Sequence, residues 1–350
     1  GPGGFAILRW TGWAKHSWLV FVGVAGVFTA IAGGGATALR PAKVEATHLT
    51  FVDHVFGQDV WRTRSWVGAL LPRYGTTRVA IESLPGVRQA LAPWEPPGSE
   101  GDRFPDPRPY AINSLRPDDV AYPSRATVKQ LRVDWLGGPA WRSIVPTQRV
   151  ELSPEGRLSG VIEHGFPAAL DDVTIMLVLR QSEFREVRGG ALQARTLAWR
   201  LSGAWEPGTA LDLGTLAGSR EARATTGDAY LDRLAEDARG WAELFGVRDP
   251  RTAERKLEAL TWLPMLGPPA YEQMASATGF PAVVNRRVGH GLDLSRWFTQ
   301  PCLIVAGRAT TPLPAPLLID GEPAPSEGQT VLRWVYPLAP APPEAVEAIP

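Results

Sequence analysis

TVKQLRVDWLG (residues 127–137) alternates with a period of two. Lys129, Leu131, Val133 and Trp135 take one set of positions, and Val128, Gln130, Arg132 and Asp134 the other. Successive side chains of a strand point to opposite faces, so Leu131, Val133 and Trp135 point to a core and the charges to water. Upstream, KVEATHLTFVDHVFG (43–57) is β-branched and aromatic and reads as a strand, as do VWRTRSWVGALL (60–71) and TTRVAIESL (76–84). Pro72-Arg73-Tyr74-Gly75 reads as a turn between the last two, and residues 93–109 as a loop of Pro, Gly and charge.

Downstream, residues 149–180 read as three strands, with Ser153-Pro154-Glu155-Gly156 a tight turn. ALQARTLAWRLSGAW (191–205) and TALDLGTLAG (209–218) continue the pattern with glycine punctuation. Strand spacing near ten residues points to a β-sandwich. The rhythm breaks at 228–262, where Leu231, Leu234, Ala238, Trp241 and Phe245 share a helical face. Gly246 fits a helix stop, and Asp249-Pro250 a cap and first turn of a second helix. This predicts an αα insertion at 228–262. Strands return at 301–309 and 330–338, with Asp320-Gly321 a turn between them, and the Pro-rich 339–350 reads as a disordered tail.

Near the start, SWLVFVGVAGVFTAIAGGGATAL (Ser17–Leu39) holds no charged residue. About 20 apolar residues span the hydrocarbon core as a helix. A signal peptide has a shorter apolar region, and a buried soluble helix a polar stripe. Trp10, Trp13 and Trp18 gather at one end, where indole rings favour the headgroup layer. Arg9 and Lys15 precede the span and Arg40 and Lys43 follow it, so the flanking positive charge is a tie. The body beyond is Trp- and Pro-rich, and after residue 43 holds lysine only at 129 and 256 and one cysteine. This places it outside the cytoplasm.

The opening Gly-Pro-Gly-Gly-Phe-Ala-Ile-Leu-Arg-Trp-Thr-Gly-Trp-Ala-Lys-His-Ser-Trp (residues 1–18) resembles a segment of bacterial conserved multi-pass membrane proteins of unknown function. In them it precedes a transmembrane helix that a β-rich extracytoplasmic domain follows. The resemblance covers about the first 40 residues and implies that the chain is the C-terminal part of a longer protein, with residues 1–16 a short cytoplasmic segment. The expected architecture is mainly β with an α-helical insertion. It comprises a transmembrane helix at 17–39, a first β-rich domain at 40–148, and a second β-sandwich at 149–338.

The 350 residues carry 36 basic and 36 acidic side chains, so no global field exists to hold nucleic acid. A single cysteine, Cys302, excludes an intramolecular disulfide framework and a cysteine-cluster metal site. Its apolar setting, Pro301-Cys302-Leu303-Ile304-Val305, reads as a small buried hydrophobe. The phosphate-loop, dinucleotide, zinc-protease, esterase and penicillin-binding signatures are missing. His48, Asp53 and His54 form the best metal-like group, but six residues of strand hold 48 and 54 about 20 Å apart. Asp118-Asp119 and Asp171-Asp172 read as turn residues. No catalytic, cofactor or metal residue is therefore expected.

The leading expectation is a membrane-anchored, non-catalytic envelope protein whose partners are the lipid bilayer and other envelope proteins. Trp241 and Trp262 on the insertion, with Arg62 and Arg64, are the candidate contacts. A glycan- or peptidoglycan-binding module is the alternative, and exposed Trp94, Trp141, Trp205 or Trp297 would favour it. An envelope hydrolase is a further alternative, for which no residue set can be named.

Overall fold

A computed structural model describes residues 10, 17–38, 44–81, 88–93, 115–137, 141–153, 157–179, 196–218, 225–226, 257–258, 261–262, 297, 300–311 and 317–338. The chain divides into two compact units, Gly1–Val44 and Glu45–Pro350.

In the first unit, Ser17–Ala38 forms α1, a 22-residue helix with no acid in its first turn and no base in its last. At 1.5 Å per residue it is about 33 Å long. Phe21, Val22, Val24, Val27, Phe28 and Ile31 are all exposed, so the apolar surface runs round the helix instead of forming one stripe. The described side chains of α1 are those of Trp18 and residues 21–35. Counted over the described residues, no helix is long and apolar enough to cross a membrane.

The second unit is mainly β. Its strands in chain order are β1 (Glu45–Val55), β2 (Arg62–Ile81), β3 (Arg88–Pro93), β4 (Asp119–Leu136), β5 (Ile144–Leu152), β6 (Leu158–His164), β7 (Leu170–Val178), β8 (Thr196–Arg200), β9 (Leu211–Asp212), β10 (Thr225–Thr226), β11 (Cys302–Ala309), β12 (Leu317–Ile319), β13 (Glu322–Pro323) and β14 (Ser326–Pro337). An eleven-stranded sheet runs β10-β8-β7-β11-β14-β1-β2, with β4 and then β3 beyond β2 and the β12–β13 hairpin along its far end. A three-stranded sheet runs β5-β6-β9. The parallel pair β1–β14 joins the two ends of this unit, so one sheet passes through the boundary expected at 148.

The sheets pack through one apolar cluster. Ile144, Val150, Leu158 and Ile162 of the small sheet meet Val173, Ile175, Leu177, Trp199, Leu303, Val305, Leu332 and Trp334 of the large one. Each such side chain contributes about 1.5–3 kcal/mol when fully buried. The central strands are closed on their other side as well, where Met176, Val178, Ile304, Val331 and Val335 are buried. Strands covered on both faces read as continuous apolar runs, which is why β7 and β11 lack alternation. On β2 the alternation is strict: Thr63, Ser65, Val67, Ala69 and Leu71 are buried, while Arg62, Arg64, Trp66, Gly68 and Leu70 are half-buried.

Several expectations need correcting. The turn expected at residues 72–75 is a bulge inside β2, where the pairing with β4 shifts between Leu71 and Tyr74 and Gly75 takes φ +131°. An extra residue kinks a strand without ending it. Asp119 and Asp172 lie in strands, Asp172 at φ +52° beside the shift in the β7–β11 pairing. Lys129, a charge expected to face water, is buried with Leu131 and Val133, the inward phase of its strand. Leu213–Gly218 is a short helix, α2. It starts where the Asp212 carboxylate accepts the N–H groups of Gly214 and Thr215, a helix cap that stretch had not suggested. Asp320 (φ +53°) and Gly321 (φ +88°) make the expected turn, with the mirror-image backbone that hairpins favour. Of the insertion at 228–262, residues 257–258 and 261–262 are helical, and the rest lies outside the described residues with the 339–350 tail.

Candidate functional site

The face of the large sheet that turns away from the small one carries its charge. Register puts Arg333 of β14, Asp53 of β1 and Arg62 of β2 side by side across three strands. Arg333 Nε donates to Asp53 Oδ1 at 2.6 Å and Nη2 to Oδ2 at 2.7 Å. Arg62 adds bonds from Nε and Nη2 to Oδ2 at 3.2 and 2.9 Å. Arg333 is wholly buried, Nη1 donates to the Thr261 carbonyl at 3.2 Å, and its guanidinium lies 5.3 Å from the Phe51 ring centroid. One row on, Arg64 and Arg132 both bond or pair with Asp134.

A cavity of about 320 Å³ lies on the same face. Thr174, Ala306, Gly307 and Val331 line it from the sheet, and Leu257, Glu258, Thr261 and Trp262 from the helical residues. Asp172, Arg200 and Arg308 complete it. Asp172 sits between two guanidinium groups, with Arg200 Nη2 on Oδ1 at 2.6 Å and Arg308 Nη2 on Oδ2 at 2.8 Å. The helical segment meets the sheet where Arg333 donates to the Thr261 carbonyl, and the Thr261 hydroxyl donates within the helix to the Leu257 carbonyl at 2.8 Å.

The described histidines, His48, His54 and His164, make structural contacts. His48 is buried, with Nδ1 2.9 Å from the Thr50 hydroxyl, itself 2.7 Å from that of Ser65. His54 stacks on Trp61 at 4.8 Å on the opposite face from Asp53, and burial holds its pKa below the usual value. The metal-like group in the sequence is thus split between two faces, and no metal-binding group occurs among the described residues. His164 is buried, with Nε2 2.9 Å from the Trp205 carbonyl and Nδ1 accepting the Phe166 N–H at 3.3 Å. Burial lowers its pKa, against an opposing pull from the Trp205 carbonyl. Cys302 is buried, donates to the Trp297 carbonyl at 3.1 Å, and has its thiol pushed up to about 12 by desolvation.

Of the candidate contacts, Trp262 is buried at 2 % exposure and walls the cavity instead of standing on the surface. Arg62 is 35 % exposed in its ion pair with Asp53, and Arg64 is 12 % exposed against Asp134. Trp241 lies outside the described residues. Trp10 and Trp18 are exposed, while Trp13 lies outside the described residues. Of the tryptophans that would mark a sugar platform, Trp205 is buried, and Trp141 is wedged between Trp61 and Phe166. Trp297 is half-buried and Trp94 lies outside the described residues. The cavity escaped the sequence reading because Asp172, Arg200, Trp262 and Arg308 lie on four separate segments.

No family model matches the chain, and no curated protein does. Among solved structures, the yeast delta-COP-I mu-homology domain is similar at 8% identity and a TM-score of 0.33, covering 85% of this chain and 98% of that one. The same yeast domain complexed with Dsl1 WxWxV peptide gives 9% identity and a TM-score of 0.32 over the same shares. A likeness this slight extends to neither fold nor activity.

Proposed function

We propose that this protein is a non-catalytic component of a cell envelope, anchored in the bilayer by the helix at 17–38, with its β body outside the cytoplasm in contact with other envelope proteins. The observation that supports the reading is the uncharged sequence run Ser17–Leu39, within which the described apolar side chains of α1 are exposed. Burying that surface in water-soluble packing would need partners all round it, whereas a hydrocarbon core supplies them directly. Trp10 and Trp18, exposed at one end, suit the headgroup layer.

The non-catalytic part rests on how the described titratable groups are used. Asp53 is held by two arginines, His164 is bound at both ring nitrogens, and the Cys302 thiol is far from ionising at neutral pH. A nucleophile or general base needs the opposite settings. Contact is assigned to the half-exposed Arg62 side of the large sheet, since Trp262 is spent on packing.

In-cell crosslinking followed by membrane solubilisation tests the reading. It expects discrete complexes with envelope proteins that disappear when residues 17–39 are deleted. A protein recovered only alone, with or without those residues, overturns it.

A further inference from the structure

We propose that the arginine-bearing face beside Asp53 docks an extended acidic segment of a partner protein. The inference rests on the contact reading above and names the partner's chemistry. Two carboxylates on this face each sit between two guanidinium groups, Asp53 between Arg333 and Arg62, and Asp134 between Arg64 and Arg132. One arginine neutralises one carboxylate, so four arginines less two aspartates leave these six residues with a surplus of two positive charges. The inner member of each pair is held in the fold, Arg333 wholly buried and Arg64 mostly so. The outer members, Arg62 and Arg132, are each 35 % exposed. Among the described residues Arg62 gives Nε and Nη2 to Asp53, and Arg132 reaches Asp134 through Nε at 3.0 Å. Nη1 of Arg62 and both Nη groups of Arg132 are left to donate, and a carboxylate is the acceptor that a planar guanidinium fits best.

Register sets the spacing that the partner must match. Arg132 pairs with Trp66, which lies four residues along β2 from Arg62. That separates the two outer arginines by about 13 Å along the strand and about 5 Å across it. Residues i and i+4 of an extended chain share a face about 13 Å apart, so acids at those positions reach both arginines. The side chain at i+2 then lies over Arg64 and Asp134, whose charges cancel. The alternation of acid and neutral positions is what selects a protein segment. Asp53, Asp134 and the exposed Asp59 in the loop before β2 repel a polymer charged at every unit. Leu136, exposed beside Arg62 in the pairing of β2 with β4, gives apolar contact that a peptide side chain can use and a phosphate chain cannot.

Carbodiimide coupling in membranes bearing the full chain tests the docking face, since the reagent joins an amine to an acid in direct contact with it. Lysine stands only at 15, 43, 129 and 256, so Arg62→Lys and Arg132→Lys each place a new handle on this face and keep its charge. We expect each variant to form a joint to a second protein that the parent lacks. Peptide mapping should place both joints on Asp or Glu of one segment, about four residues apart. The variant Arg62→Gln/Arg132→Gln should give about tenfold fewer formaldehyde-linked complexes than the parent. Its melting temperature should be unchanged, because Arg333 and Arg64 still hold the two carboxylates. Joints confined to this chain's own acids, adducts to lipid or phosphate in place of protein, or complexes undiminished in the glutamine variant would overturn the inference and leave the contact reading in place. Absence of complexes in the parent as well would overturn both.

Discussion

Asp53 and Arg333, 280 residues apart in the chain, face each other across the parallel β1–β14 pair and share two hydrogen bonds in a site with no solvent access to the arginine. The pair locks the first strand of the β body to its last. Breaking a buried pair costs up to about 3–5 kcal/mol, and Arg333→Met should sit at the low end because Arg62 still holds Asp53. Asp53→Asn and Arg333→Met should each lower the urea midpoint accordingly. The double variant Asp53→Leu/Arg333→Met should lose much less than the sum, because an apolar pair carries no desolvation cost. Additive losses in urea unfolding would show that the two side chains act separately.

The same strand pair has a glycine with no room for a side chain as the strands stand. A Cβ at Gly328 would stand 2.1 Å from the His48 carbonyl oxygen and 2.7 Å from its ring. Gly328→Ala should destabilise by about 1–3 kcal/mol through forced separation of β1 and β14. Gly203, with no neighbour within 4 Å of such a carbon, should accept alanine within roughly 0.5 kcal/mol. Thermal melts of the two variants make the comparison.

Acid should weaken the β body through His164. Its neutral ring donates from Nε2 to Trp205 and accepts at Nδ1 from Phe166, so a second ring proton would meet a donor. The folded-state pKa is lowered from 6.5, chiefly by burial. The unfolded state therefore takes up the proton first. Stability from this group is complete above about 6.5 and is lost as pH falls through the lower folded-state value. Melting temperature measured from pH 7.5 down to 5 should fall, and His164→Gln should flatten the slope that remains after His54 is replaced.

Cys302 should be silent until the protein unfolds. With its thiol at about 12, it presents roughly a thousandfold fewer thiolates at pH 8 than an exposed cysteine. Aromatic disulfide reagents should label it only in denaturant, at one equivalent per chain. Rapid labelling in buffer would mean that the segment around Trp297 opens readily.

Much of the β body was legible because local chemistry decided it. The period-two run at 127–137 is half-buried, so its alternation survives, and Lys129 obeyed the period against its own charge. Asp320-Gly321 offers the positive φ angles of its turn at low cost. The bulge at 71–74 was not legible, since Pro72 and Gly75 look the same in a turn and in a kinked strand. The joining of both halves into one sheet was hidden too, because a parallel pairing of β1 with β14 leaves no local trace in either strand. Nor could spacing reveal that Asp53 belongs to Arg62 and Arg333 instead of to the flanking histidines. Burial of Trp262 followed from the sheet laid beneath it, which its own helical neighbours do not encode.

Carbonate extraction at alkaline pH tests the lipid anchor most directly. Membranes bearing the full chain and membranes bearing a chain without residues 17–39 are washed side by side, and pellet and supernatant are blotted. The full chain should stay entirely in the pellet and the shortened chain should move to the supernatant. Release of the full chain into the supernatant would contradict the anchor and with it the assigned location.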